Sequence, residues 1–137
     1  MKEGILGPKV EDVSMAVVKD TIEGGETMYY VYLLSFREDI MEGVIINSTG
    51  YGEDNITGEK IKTSTLRHTM EILLPNEAAK IEAIMPDVFG LSNEYWISFW
   101  VNDTMYDHKF VFLPNTINPN EMQLIPMLGV EGILLNA

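Results

Sequence analysis

The sequence predicts an α+β fold: an antiparallel β-sheet or partly closed barrel of about seven or eight strands, with one or two helices inserted centrally. Three observations lead there. Strand-length apolar segments follow one another through short polar links, too short for the crossover of roughly a dozen residues that parallel pairing needs. One central stretch changes its apolar spacing towards that of a helix. Hydrophobic residues make up 46% and charged residues 22% of the 137, which excludes disorder and fits one domain spanning residues 1–137.

The elements follow in order. Residues 10–18 place Val13, Met15 and Val17 on one side and Ser14 and Ala16 on the other, as a strand does. Ile22-Glu23-Gly24-Gly25-Glu26 is a turn, because the glycines accept positive φ angles. Residues 27–36 are a strand rich in tyrosine and β-branched residues, and residues 43–49 are a third, centred on Val44-Ile45-Ile46. Residues 50–58 read as a polar, glycine-rich loop and residues 59–63 as a short strand. Over residues 64–74, Leu66, Met70 and Leu73 recur at i, i+4 and i+7, Ser64 is an N-cap and Pro75 a stop, so the spacing predicts a helix. Residues 76–85 fit two templates: a helix burying Ala78, Ile81 and Met85, or a strand with Ala79, Ile81 and Ala83 opposite Lys80 and Glu82. Pro86 to Leu91 adds a helical turn. Residues 94–101 and 105–113 form a hairpin around Asn102-Asp103-Thr104, and residues 121–125 and 130–135 are two more strands.

The formal charge is −12. Phosphate backbones and anionic membranes repel such a chain, so neither nucleic acid nor a membrane is an expected partner. Cysteine is absent, which removes disulfides, thiolate metal sites and cysteine nucleophiles and suits a reducing compartment. The first residues carry Glu3 and lead into no apolar run of signal-peptide type. The expectation is a cytoplasmic protein.

Several strands are apolar on both faces. Tyr95, Ile97, Phe99 and Val101 oppose Trp96, Ser98 and Trp100; Met28, Tyr30, Tyr32, Leu34 and Phe36 oppose Tyr29, Val31, Leu33 and Ser35. A sheet with one wet face would alternate with polar residues instead. A helix, a ligand cavity inside a closing barrel, or a second subunit could cover the extra face. Tyr30, Tyr32, Trp96 and Trp100 are therefore candidate binding residues.

Ser64, Arg67 and His68 form the most functional-looking polar group, since hydroxyls at a helix start with an arginine one turn in can hold an anion. Helix capping explains the same hydroxyls without a ligand. The two histidines, His68 and His108, lack partners at metal-motif spacing, and no metal or cofactor is expected. No Gly-x-Ser-x-Gly elbow and no phosphate loop occurs; Gly50-Tyr51-Gly52 lacks the third glycine and following helix. The acids of residues 53–59 do not follow the order of a calcium loop. No catalytic residue is assigned, and an enzyme is the least favoured reading.

The stretch Lys60-Ile61-Lys62-Thr63-Ser64-Thr65-Leu66-Arg67-His68, with Val88-Phe89-Gly90-Leu91 and Asn93-Glu94-Tyr95-Trp96, resembles a small conserved bacterial family without assigned function. That resemblance implies a bacterial cytosolic protein and brings no catalytic residues. The reading as a whole is a small acidic binding protein acting as a homodimer, its partner meeting the 28–36 and 95–101 strands. The alternatives are a barrel-like binder of an apolar small molecule and an acidic chaperone or inhibitor of a basic protein.

Overall fold

In the computed structural model, which describes residues 8–21 and 24–137, ten strands follow one another. They are β1 (Val13–Thr21), β2 (Thr27–Ser35), β3 (Met41–Glu53), β4 (Lys60–Lys62), β5 (Leu66–Leu73), β6 (Ala78–Ala83), β7 (Ser92–Val101), β8 (Thr104–Phe112), β9 (Gln123–Ile125) and β10 (Val130–Asn136). Sheet A has the order β6-β2-β1-β10-β9; in sheet B, β3 carries β4 and β5 along one side and continues through β7 to β8. Every pairing is antiparallel, as the short links require.

Two open sheets facing each other replace the expected α+β sheet or partly closed barrel. Strand makes up 60% and helix 5% of the described residues, and no helix among them reaches seven residues. None is long and apolar enough to cross a membrane. The only helical pieces described are 3-10 turns at Pro86–Val88, where the expected turn lies, and at Pro119–Glu121.

The expected helix over residues 64–74 is strand β5. Leu66 and Met70 share a face at either period, because four is an even number, so that pair discriminates nothing. The odd step from Met70 to Leu73 is what imitates a helix, and a β-bulge produces it. Gly43 in β3 takes a φ of 56°, and the β3–β7 register shifts between Glu42 and Ile45. At this level Met41 and Val44, three residues apart, are both buried. Opposite them, Leu73 pairs with Met41 and Met70 with Val44, so both strands break alternation together.

Of the expected loop at residues 50–58, residues 50–53 are strand, since β3 runs on to Glu53, and residues 54–58 make the turn. The glycines of residues 50–53 serve packing. A Cβ on Gly52 would lie 2.9 Å from Leu91 Cδ2, and one on Gly50 3.1 Å from Thr63 Cγ2. The ambiguous stretch 76–85 resolves as strand β6. Gly24 and Gly25 have φ of 102° and 88°, as the first turn requires; Ile22 and Glu23 of that turn lie outside the described residues.

The core fills the space between the sheets. Val13, Met15, Val17, Val31 and Leu33 descend from sheet A onto Val44, Ile46, Tyr95, Ile97, Phe99, Phe110 and Phe112 of sheet B. The interior that a barrel would leave for a ligand is thus occupied by side chains. Phe89, in the segment after the Pro86 turn, meets Tyr29 edge-on at 5.2 Å. Arg37 lies over Phe99 and Tyr106, 5.5 and 5.0 Å from their ring centres. Two hydrogen bonds to Asp39, of 2.7 and 3.0 Å, fix its guanidinium.

Gly132 shows how tightly sheet A is drawn together. A Cβ there would lie 2.5 Å from the Val17 carbonyl oxygen and 2.9 Å from both Ile125 Cδ1 and Val18 Cγ1. Gly132→Ala is expected to cost about 1–3 kcal/mol, the usual penalty of overpacking. A lowered urea midpoint checks this; an unchanged midpoint contradicts the packing at β1–β10.

Candidate functional site

Alternation along β7 sends Asn93, Tyr95, Ile97 and Phe99 inward, all buried. The same alternation sends Trp96 and Trp100 outward, onto the solvent side of sheet B. Trp96 pairs with Asn47 and Lys109, Ser98 with Ile45 and Asp107, and Trp100 with Met105. Trp96, Trp100 and Met105 are 43%, 44% and 46% exposed, so no element among the described residues packs over them. The Lys109 ammonium sits 5.6 Å from the Trp96 ring centre and 3.8 Å from Glu94. Arg67 belongs to this face too, its Nε donating to Asn47 Oδ1 at 3.1 Å. At Gly43 the missing side chain leaves the flank of Trp100 clear.

Tyr30 and Tyr32 lie on the opposite side of the molecule, on the outer face of sheet A. There they cover something. Ala16, Val18, Leu34 and Ile125 are buried on that face, packed against Tyr30, Tyr32, Met127 and Leu128. Lys80 closes over the tyrosines, its ammonium 4.0 Å from the Tyr30 ring centre and 6.0 Å from that of Tyr32. The four aromatic candidates therefore make no common surface. The second apolar face of β2 is covered by its own chain, and that of β7 is bare.

A third arrangement lies at the open edge of the sandwich, where β6 of sheet A faces β3, β5 and β7 of sheet B. The β2–β6 register shifts between Val31 and Tyr32, inserting Ile81 as an extra residue. The bulge lets Ile81 join the core while Glu82, opposite Val31, also turns inward. Glu82 Oε1 accepts from Ser48 Oγ at 2.9 Å and from His68 Nε2 at 2.7 Å; Oε2 accepts from the Tyr95 hydroxyl at 3.1 Å. Burial, together with the Glu82 carboxylate alongside, pushes the Tyr95 phenol far above its ordinary range, so it remains a donor. Ser48, Glu82 and Tyr95 reach into a cleft of about 300 Å³, whose other walls include Ser64, Leu66, Ile84, Asp87 and Asn93.

Ser64 thus caps no helix, but it does line a recess, and His68 orients that recess's carboxylate from behind. Arg67, between them in sequence, points to the other side of sheet B, so the three do not converge on an anion. Ser48 donates to Glu82 rather than to His68, so these two residues do not form a serine–histidine pair. No group of three His, Cys, Asp or Glu that could hold a metal ion occurs among the described residues. His108 packs against Phe110 with ring centres 4.6 Å apart.

Glu82, Ser48 and Tyr95 escape the sequence reading. Simple alternation over residues 78–83 sets Glu82 beside Lys80 in water, and nothing in the local sequence announces the bulge that reverses it. No family model, curated protein or solved structure matches the chain.

Removing the acceptor orphans three donors, whereas removing one donor leaves the carboxylate two. Tyr95→Phe is expected to cost about 1–2 kcal/mol and Glu82→Ala about 3 kcal/mol or more. Urea unfolding checks the order; equal small losses would mean that the cluster is open to water. Burial holds His108 below its ordinary value of 6.5, with Asp107 pulling partly back. The unfolded chain therefore takes up that proton more readily than the folded one. Stability is unaffected above roughly pH 6.5 and declines as the pH falls through the window beneath it. Urea midpoints at about pH 7.5 and about pH 5 should converge in His108→Gln relative to the parent; an identical acid-side loss in both proteins contradicts this.

Proposed function

We propose that this chain is a non-enzymatic interaction protein that works as a homodimer, joined through the outer face of sheet B. One observation carries the reading: on the outer face of sheet A, Tyr30, Tyr32, Met127 and Leu128 cover Ala16, Val18, Leu34 and Ile125, with Phe36 and Leu134 partly exposed at the margin, whereas on sheet B Trp96, Trp100 and Met105 stand together half-exposed. Half-exposed tryptophans at the centre of a sheet are the residue type that dominates interface energetics.

Extent and charge both suit a second copy. Four strands about 4.8 Å apart and about ten residues long present on the order of 600 Å², close to the roughly 800 Å² that each partner of a standard interface contributes. Arg67 and Lys109 share the face with Glu94 and Asp107. A two-fold axis can set each sign against the other, as a self-complementary interface needs. The formal charge of −12 disfavours nucleic acid and anionic membranes as partners. The cysteine-free composition suits the cytoplasm.

Because each copy carries −12, long-range repulsion opposes pairing, and added salt screens it. Light scattering coupled to gel filtration should show a dimer that tightens between about 0.05 and about 0.5 M salt. Trp100→Glu should release a folded monomer at both salt concentrations. A parent protein that stays monomeric at high concentration in both salts ends the proposal.

A further inference from the structure

We infer that the cleft over Glu82 is a binding site for a small organic cation, a primary ammonium with a short apolar tail. This site is separate from the face proposed for dimerisation.

The carboxylate defines the chemistry. Ser48 and His68 use Oε1 and Tyr95 uses Oε2, which takes three of about four acceptor positions. The fourth, on Oε2, is left for whatever enters the cleft that Glu82 lines. Asp87 adds a second carboxylate at the exposed rim, and no lysine or arginine is among the lining residues. An anion would meet two acids and no cation. A neutral polyol would satisfy the hydroxyls of Thr63 and Ser64 but leave the charge unanswered and the apolar wall wet. A metal ion would find too few ligands, since no cluster of three candidate side chains occurs among the described residues. An ammonium offers a charge-assisted donor to the free position on Oε2.

The apolar part of the lining selects the tail. Leu66, Ile84, Met85 and Val88 form it. At about 30 Å³ for each water displaced, the cleft of about 300 Å³ holds on the order of ten waters, which fits a chain of a few carbons. His68 lies outside the lining and acts as a positioning residue, holding the carboxylate through Oε1.

The test is an amide-resolved NMR titration with n-butylammonium chloride, 1-butanol and sodium butyrate. Butylammonium should give saturable shifts at Ser64, Ala83 and Ile84, and the other two should bind at least about tenfold more weakly, as loss of one charge-assisted hydrogen bond implies. Glu82→Gln should weaken butylammonium by about tenfold. Should that variant fail to fold, Asp87→Lys at the exposed rim keeps the question answerable. It places a competing cation at the mouth and should also weaken binding by about tenfold. Equal binding of butanol and butylammonium, unchanged affinity in a folded Glu82→Gln or in Asp87→Lys, or no saturable shift in the parent would each overturn the inference.

Discussion

Residues 95–101 carry large apolar side chains on two faces, and only one face of a strand can point into the space between two sheets. The placement of Tyr95, Ile97 and Phe99 decides the rest of the molecule. Pointing inward, they meet Val31, Leu33 and Met15 of the other sheet and complete the core. The same placement carries the Tyr95 hydroxyl to Glu82, and so builds the polar cluster at the open edge. It also leaves Trp96 and Trp100 on the outside with no element among the described residues to cover them. Core, cleft and exposed face are three consequences of one alternation. A slip of a single residue would exchange them all.

The two outer faces differ in how much of their apolar surface is covered. On sheet A, small residues (Ala16, Gly132) lie flat beneath larger neighbours, and the turn between β9 and β10 folds Met127 and Leu128 onto the surface. Covering is therefore within the reach of a chain this short. On sheet B the corresponding positions combine large rings with a bulge at Gly43 that clears space beside Trp100. A glycine there opens a flank that any side chain would narrow.

How far the sequence is legible follows from where strands depart from strict alternation. Val13, Met15 and Val17 share a face as read, and the β7–β8 hairpin forms around Asn102, whose φ of 53° suits a turn. Both strands obey period two to their ends. The false helix at residues 64–74 arises where β3 and β5 break step together, and the misplaced Glu82 where β6 carries an extra residue against β2. A bulge changes which side a residue faces without changing its type, so composition and periodicity are blind to it. Ser64 and His68 were visible as polar groups worth attention. Their role was not, because the carboxylate that gives them one comes from the other sheet.

The Glu82 cluster is a poor way to hold two sheets together. Three apolar side chains of similar size would seal the same edge at no desolvation cost, and buried polar clusters gain little over such packing. The cluster also sits beside a cleft whose walls include Thr63 and Ile84. A carboxylate held by three donors and still short of one partner fits a recess that is meant to be entered. The indole face on the outside of sheet B fits a surface meant to be covered. The two features sit on opposite sides of sheet B, so one can be filled without closing the other.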